Sequence, residues 1–448
     1  MSRTKLSGFA LSFLLCLGAI VQAAAPKVVK TVPKAGASDV DPGLMFIEVV
    51  FDQDMTTGQQ YSIVGGGPKF PTIIGKPSWR NKRTIVMRVR LEPNHEYWLS
   101  INSDTYKNFI SVDGEPAVPY PISFKTASDK GSDKSETLPT AANQDALKEL
   151  RSAIDKYYSY RDVRQVDWDD LFGKYENRLR DAKTALQFAT VAAEMLANAK
   201  DKHIWLDVDG QHVPTYVRPV SPNADFKKLP KFIPGFQKIA KTICVGKFDD
   251  GIGYILIDTW SNERREDIEE VFEAIWEFAD APGLIMDVRG NDGGAELLAR
   301  EIAGCFVNKP VVYAKHVVRD PSEESGFSKV YDRVLQPNKK RPRYRGKVAV
   351  LTGPVVISSG EAFLLMMKQV PGCKLVGACS QGSSGNPKPY NLGNGVTVFL
   401  PSWKAMHPDG SCFETEGIEP DIPVETNASS FENEDPVIEA ALRYLHSE

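Results

Sequence analysis

A serine between a strand and a helix is the residue of this chain best set to do chemistry. In Lys347-Val-Ala-Val-Leu-Thr-Gly-Pro-Val-Val-Ile-Ser358-Ser359-Gly360-Glu361 an apolar, β-branched run reads as a buried strand. Gly353-Pro354 turns the chain, and the helix formers Glu361 to Lys368 follow the serines. A serine at such a junction projects its Oγ from an exposed turn. The unpaired N–H groups of the first helical turn then lie near any carbonyl oxygen it attacks. That is the layout for acyl transfer by a nucleophilic serine with an oxyanion hole, in which Ser358 attacks and the N–H of Ser359 donates. The competing assignment makes Ser358 or Ser359 a helix cap, with Glu361 closing a capping box from Ser358. A second segment, Leu284-Ile-Met-Asp287-Val-Arg289-Gly290-Asn291-Asp292-Gly293-Gly294, reads as a strand ending in a glycine turn. Glycine there lets a substrate approach the backbone closely. The second oxyanion donor is expected from this turn, from Gly293 in preference to Gly294, while Asp287 and Arg289 brace it as an internal ion pair.

Two further segments bear on the assignment: Asp201-Lys202-His203, after an upstream helix, and Glu414-Thr-Glu416-Gly417-Ile-Glu419-Pro420-Asp421 near the end of the chain. With the serine and glycine turns they fall in the order that resembles the tail-specific, or C-terminal processing, serine proteases of the tricorn-core-like branch. The usual texts of that family are Asp-x-His, Asp-x-Arg-x-Asn-x-Gly-Gly, Ser-Ala-(Ser/Gly)-Glu and Gly-(Val/Ile)-x-Pro-Asp. The resemblance covers roughly residues 143–446 and implies an α/β crotonase/ClpP-like ββα superhelix as protease core, with a small helical N-terminal subdomain. It implies no metal or organic cofactor. Many members insert a peptide-binding PDZ domain between the Asp-x-His and Asp-x-Arg texts. Here only 83 positions (286 − 203) separate His203 from Met286, so no such domain is expected.

A neutral serine is a weak nucleophile and needs a base within hydrogen-bond reach. One branch of the family uses a lysine 25 positions after the serine. In this chain that position (358 + 25) is Ser383, and Lys388 lies beyond a proline. The Ser–Lys mechanism is therefore disfavoured, and the resemblance assigns the base to His203, with His407 as rival. The base would work as neutral imidazole, with activity rising with pH near about 6–7. The matching acid is Glu414, with Glu416 as its rival. One departure stands out: the tricorn relay has a serine just before the histidine, where this chain has Lys202. An orienting carboxylate would have to reach His203 directly or through water. Gly382, Ser383, Ser384 and Gly385 are expected to bind substrate as an edge to which an extended peptide adds.

Around this core the chain divides by texture. Met1 to Ala23 has a basic start at Arg3 and Lys5, an apolar run from Leu6 to Ile20, and Val21-Gln22-Ala23 as a small-x-small site. It reads as a signal peptide, so the expected location is periplasmic or extracellular, without stable membrane insertion after cleavage. Residues 27–127 are β-like, with runs such as Phe46 to Phe51, Thr84 to Arg90 and Tyr97 to Ile101 between turn residues. They read as an all-β sandwich and resemble a bacterial Ig-like domain. Residues 128–142 are polar and Gly/Ser-rich, a flexible-linker composition. Residues 143–235 carry helical patterns and form the first part of the protease module, and 236–448 alternate strand and helix as its catalytic core.

At 448 residues, 42% apolar and 25% charged, the chain is long enough for two or three domains with sizeable cores. Its net charge of −4 gives no sign of nucleic-acid binding. Cys16 lies in the signal segment. Cys244, Cys305, Cys373, Cys379 and Cys412 remain, an odd set with no zinc-ligand spacing, expected to be free thiols. The chain therefore reads as an exported serine peptidase acting on peptide or protein substrates. A catalytically silent peptide-binding or cell-envelope scaffold on the same fold is the alternative from another class, and acyl transfer to a different acceptor a third.

Overall fold

The β-branched runs of the N-terminal region pair as antiparallel strands in the computed structural model, which describes residues 24–447 apart from 45, 58–60, 74–75 and 129–137. The signal segment, and most of the expected linker, lie outside the described residues. The chain falls into two compact units, residues 1–136 and 137–448.

The first unit is β-rich. Phe46–Phe51 lies between Val28–Val32 and Thr84–Arg90 in one sheet, and Glu96–Ile101 lies between Ile63–Val64 and Tyr120–Lys125 in another. All of these pairings are antiparallel, and alternate residues such as Ile47, Val49, Leu99, Ile101 and Ile122 are fully buried. The period-two pattern of the sequence thus becomes two sheets with apolar inner faces.

The second unit opens with Thr140–Tyr157, Trp168–Arg180 and Ala185–Leu196 as helices. The first begins three residues earlier than the expected linker boundary, a correction to the end of that segment. The second and third are capped by Asp167 and Thr184, each accepting from a first-turn N–H. Beyond them lies a seven-stranded sheet in the order Gln237–Lys238, Ile243–Lys247, Gly253–Ile257, Gly283–Asp287, Lys347–Thr352, Cys373–Gly377, Ile422–Pro423. From Gly253–Ile257 onward every pairing is parallel. The two central runs, Gly283–Asp287 and Lys347–Thr352, are adjacent and buried almost throughout, as parallel strands covered by helices must be. Asp267–Glu277, Glu296–Ala303 and Ser359–Met367 pack on one apolar cluster with Met286, Val350 and Leu375. Pro436–His446 packs on the other, with Ile285, Leu351 and Val376.

This topology positions the functional segments. In an open parallel sheet, loops at the carboxyl ends of adjacent strands converge. Three neighbouring strands end in the glycine turn, the serine turn and the 378–386 loop respectively. A separate four-stranded sheet brings in the histidine. There Trp205–Val208 pairs with Val396–Pro401, which pairs with Pro387–Asn391, so the residues before Trp205 and those before Pro387 enter the same region. Trp205 stacks on Phe399 with ring centroids 4.7 Å apart. All five described cysteines are free, and no described helix is long and apolar enough to cross a membrane.

Candidate active site

Ser358 caps the helix Ser359–Met367, all of whose residues are buried. It does so with φ 59° and ψ −120°, not the extended backbone of an ordinary capping serine. A positive φ on a non-glycine residue carries strain and recurs where a side chain must be aimed. The N–H of Ser358 donates to Glu361 Oε2 (3.1 Å), the backbone half of the capping box. The capping and nucleophile assignments therefore fall on one residue, and the strained backbone favours the second.

Glu361 is fully buried, and its carboxylate accepts from four donors. Besides the N–H of Ser358, these are Ser380 Oγ (2.7 Å), the N–H of Gly382 (2.6 Å) and the N–H of Ser383 (3.1 Å). One carboxylate thus ties the serine turn to the neighbouring loop. Burial pushes its carboxyl up to about 7, against the pull of those donors.

The glycine turn lies directly against the serine. A Cβ built on Gly293 would stand 3.0 Å from Ser358 Cβ and 2.8 Å from the carbonyl oxygen of Ile357, at φ 90°. Only glycine fits there. The N–H of Gly293, however, donates to Asn291 Oδ1 (3.0 Å). This corrects the preference for Gly293 as the free oxyanion donor. The backbone bridge to Trp260 uses the carbonyl of Gly293 and the N–H of Ala295, which turns the N–H and C=O of Gly294 the other way. That C=O accepts from Ser359 Oγ at 2.7 Å. The N–H of Gly294 has no hydrogen-bond partner among the described residues.

Beneath this turn the expected ion pair is present and fully buried. Arg289 reaches Asp287 at 2.7 Å, Asp435 at 2.9 Å and the carbonyl of Asn223 at 2.9 Å, and Tyr254 donates to Asp287 at 2.6 Å. Asp435 also caps Pro436–His446. The group therefore clamps the glycine-turn strand to the C-terminal helix.

His203 follows a left-handed Lys200 at the end of its helix. Its N–H donates to Asp201 Oδ1 at 2.8 Å, and Asp201 Oδ2 accepts from Tyr158 at 2.8 Å. The ring Nδ1 lies 2.8 Å from Ser383 Oγ, and the carbonyl of Ser383 accepts the N–H of Ser358 at 3.0 Å. His203 and Ser358 thus meet on one residue. No carboxylate is hydrogen-bonded to the ring among the described residues, so of the two expected routes for an orienting acid, direct or through water, the direct one is not made. Burial pulls the imidazole down to about 4; Asp201 opposes this, and the Lys202 and Arg164 charges assist it. The expected imidazole limb near 6–7 is corrected accordingly.

Glu414 is buried and Glu416 exposed. Glu414 accepts from the N–H of Ser384 at 3.0 Å and pairs with Arg164, which also donates to the carbonyl of Lys200 at 2.9 Å. Burial and the nearby Asp201 raise its carboxyl, against Arg164. Glu414 is thus joined to the histidine loop through Arg164 and to the serine loop through Ser384. His407, half-buried, meets Phe413 edge-on, and Lys388 is exposed on Pro387–Asn391.

The loop 382–385 also departs from expectation. The N–H groups of Gly382, Ser383 and Ser384 are all taken by Glu361 and Glu414, and the carbonyl of Gly385 by the N–H groups of Ser402 and Trp403. It is not a free edge for a substrate strand, because buried carboxylates need those donors. The residues that sequence reasoning missed are Tyr158 and Arg164, and the positions of Glu361 and Ser383 in the network. The dense Tyr157-Tyr-Ser-Tyr-Arg-Asp-Val-Arg164 stretch was the one available signal.

The arrangement allows an acyl transfer in which Ser358 Oγ attacks, a neutral imidazole accepts its proton, and the N–H groups of Ser359 and Gly294 meet the oxyanion. Its pH dependence is distinctive. With the imidazole neutral and Glu361 ionised in the active form, kcat/KM should fall with a slope of one per pH unit below about 7 and more steeply below about 4. The upper limb belongs to a carboxyl and should barely move with temperature, unlike an imidazole limb. Profiles of kcat/KM against pH at two temperatures check this.

Comparison with known proteins covers the same segments. The model of peptidase family S41 matches residues 251–424, and that of the tricorn protease C1 domain residues 139–197. The carboxy-terminal processing protease CtpB of Bacillus subtilis is 30% identical over 173 residues, 39% of this chain and 34% of its own length. CtpA of the same organism is 24% identical over 179 residues, 40% and 36% of the two chains. The chain thus spans about a third of the length of these curated relatives. A candidate peptidase from Parabacteroides merdae superposes with TM-score 0.58 at 24% identity, over 69% of this chain and 98% of that one. Mature CPAF does so with TM-score 0.50 at 14% identity, over 68% and 97%. At these identities the structures speak for a shared fold. The sequence matches carry the likeness further: residues 251–424 are similar to peptidase family S41, and a stretch of 173 residues to a C-terminal processing protease.

Proposed function

We propose that the protein is an exported serine peptidase, an endopeptidase or C-terminal processing protease that cleaves peptide bonds through Ser358 with His203 as base. The single observation that carries this reading is Ser383, whose carbonyl holds the nucleophile's N–H and whose hydroxyl lies on the base's ring. Ser358 Oγ adds to the scissile carbonyl while its proton passes to His203 Nε2. The tetrahedral oxyanion is held by the N–H groups of Ser359 and Gly294. Collapse breaks the C–N bond, and the imidazolium gives its proton to the leaving amine. Water, deprotonated by the same imidazole, then attacks the ester, and the acid product leaves with Ser358 restored. Glu414, placed by Arg164 and Ser384, supplies negative charge that favours the transient imidazolium. The names of CtpB and CtpA support C-terminal processing as the reaction class.

The finer architecture belongs to the same proposal: a ClpP-like ββα superhelix over 236–448, a helical part over 143–235, and an Ig-like domain over 27–127 acting as spacer or adhesive module. The silent-scaffold reading has one observation in its favour, the occupied N–H of Gly293. The unpartnered N–H of Gly294 answers it. The test is cleavage of a peptide library by the mature chain. Wild type should cut, and Ser358→Ala should not. Equal cleavage by both, or by neither, would overturn the proposal.

A further inference from the structure

We infer that Ser383 is a positioning residue for His203: its hydroxyl fixes the tautomer that leaves Nε2 free to take the proton of Ser358. The inference rests on the serine-peptidase reading above. Proteins resembling this chain in the tricorn-like branch place a serine immediately before the histidine, and here that position is Lys202, which has no hydroxyl and is exposed. The structure supplies a hydroxyl from a residue 180 positions away, at 2.8 Å from Nδ1.

Three contacts fix that hydroxyl relative to the nucleophile. The N–H of Ser383 donates to Glu361 (3.1 Å), its carbonyl accepts from the N–H of Ser358 (3.0 Å), and the next N–H, of Ser384, donates to Glu414 (3.0 Å). Ser383 itself is 4% exposed, so no crowd of waters competes for the bond. A hydroxyl can donate to the ring or accept from it. Donation would place the ring proton on Nε2 and leave no base facing Ser358. Two carboxylates, Glu361 and Glu414, hold the loop through the backbone N–H groups of Ser383 and Ser384. The serine-peptidase reading needs Nε2 unprotonated, so the ring is taken as the donor, through Nδ1–H. The other charged groups around the imidazole, Asp201, Lys202 and Arg164, act on its charge without touching a ring nitrogen.

The position also has a meaning along the chain. Ser383 follows Ser358 by 25 residues, the spacing at which the Ser–Lys branch carries its lysine.

The test compares Ser383→Ala, Ser383→Thr and Ser358→Ala in the full mature chain. Ser383→Ala should lower kcat about 100-fold with KM nearly unchanged, the scale of a misplaced catalytic group, and Ser383→Thr, which keeps a hydroxyl, should recover at least tenfold of that loss. Nitrogen-15 NMR of the His203 ring at pH 7 should show Nδ1–H in wild type and a shift toward Nε2–H in Ser383→Ala. If Ser358→Ala abolishes cleavage while Ser383→Ala leaves kcat within twofold, the inference is overturned and the serine reading stands. If Ser358→Ala cleaves normally, the serine reading itself fails. Should Ser383→Ala not fold, the wild-type spectrum decides alone, and Nε2–H there overturns the inference.

Discussion

Ser358→Ala and His203→Ala should each lower kcat by about 10⁴-fold or more, and the double variant should lose little beyond either single one. Nucleophile and base act as a unit, so removing either leaves only the oxyanion donors and substrate binding, worth about 10³–10⁴ over water in comparable sites. The structure gives a concrete reason for the coupling. Ser358 N–H, Ser383 and the His203 ring form one hydrogen-bonded chain, which holds nucleophile and base on a single residue. Glu414→Gln should cost less, because it removes a charge two contacts from the ring and leaves the proton acceptor in place. Lys388→Ala should stay within about tenfold of wild type, or about 1.4 kcal/mol in barrier, because Lys388 is exposed on its strand. Steady-state kinetics on one cleaved peptide checks the set. An essential Lys388 with a dispensable His203 would move the chain to the Ser–Lys mechanism, and loss in His407→Ala alone would move the base there.

The second large effect is on stability. Arg289→Ala should destabilise the catalytic unit by about 3–5 kcal/mol, because removing one partner of a buried ion pair strands the others without compensation. Here the side chains of Arg289, Asp287 and Asp435 are almost wholly buried. The loss would also free the helix Pro436–His446 from the glycine-turn strand, since Asp435 both caps that helix and pairs with Arg289. Urea unfolding of the full chain, followed on the transition of the second unit, measures it. A change below about 1 kcal/mol would mean that the ion group does not clamp the turn.

Much of this fold can be read from local pattern. The strands Phe46–Phe51, Gly283–Asp287 and Lys347–Thr352 and the helices Asp267–Glu277 and Ser359–Met367 lie within a few residues of their apolar periods. The serine and glycine turns are legible because strand, turn residues and helix formers follow one another directly. What is not legible is long-range. Ser383 reaches His203 because Trp205–Val208 pairs with Val396–Pro401, and no periodicity announces a partner nearly two hundred residues distant. The pairing of Arg164 with Glu414 spans 250 residues and leaves no trace in spacing. Two-residue strands such as Ile63–Val64 and Ile422–Pro423 are too short to show a period at all. The engaged N–H of Gly293 was hidden for a different reason: Asn291, two residues earlier, folds back on it, a choice between solvent, substrate and neighbour that residue types do not dictate.

The central claim is that Ser358, activated by His203, is the nucleophile, and the most direct measurement is the site of covalent labelling by a fluorophosphonate. The wild-type chain should acquire one adduct, mapped by tandem mass spectrometry to Ser358, with labelling suppressed in His203→Ala and absent in Ser358→Ala. Peptide cleavage by a chain that takes no adduct, or an adduct on Ser359 or another serine with Ser358 unmodified, would contradict the account.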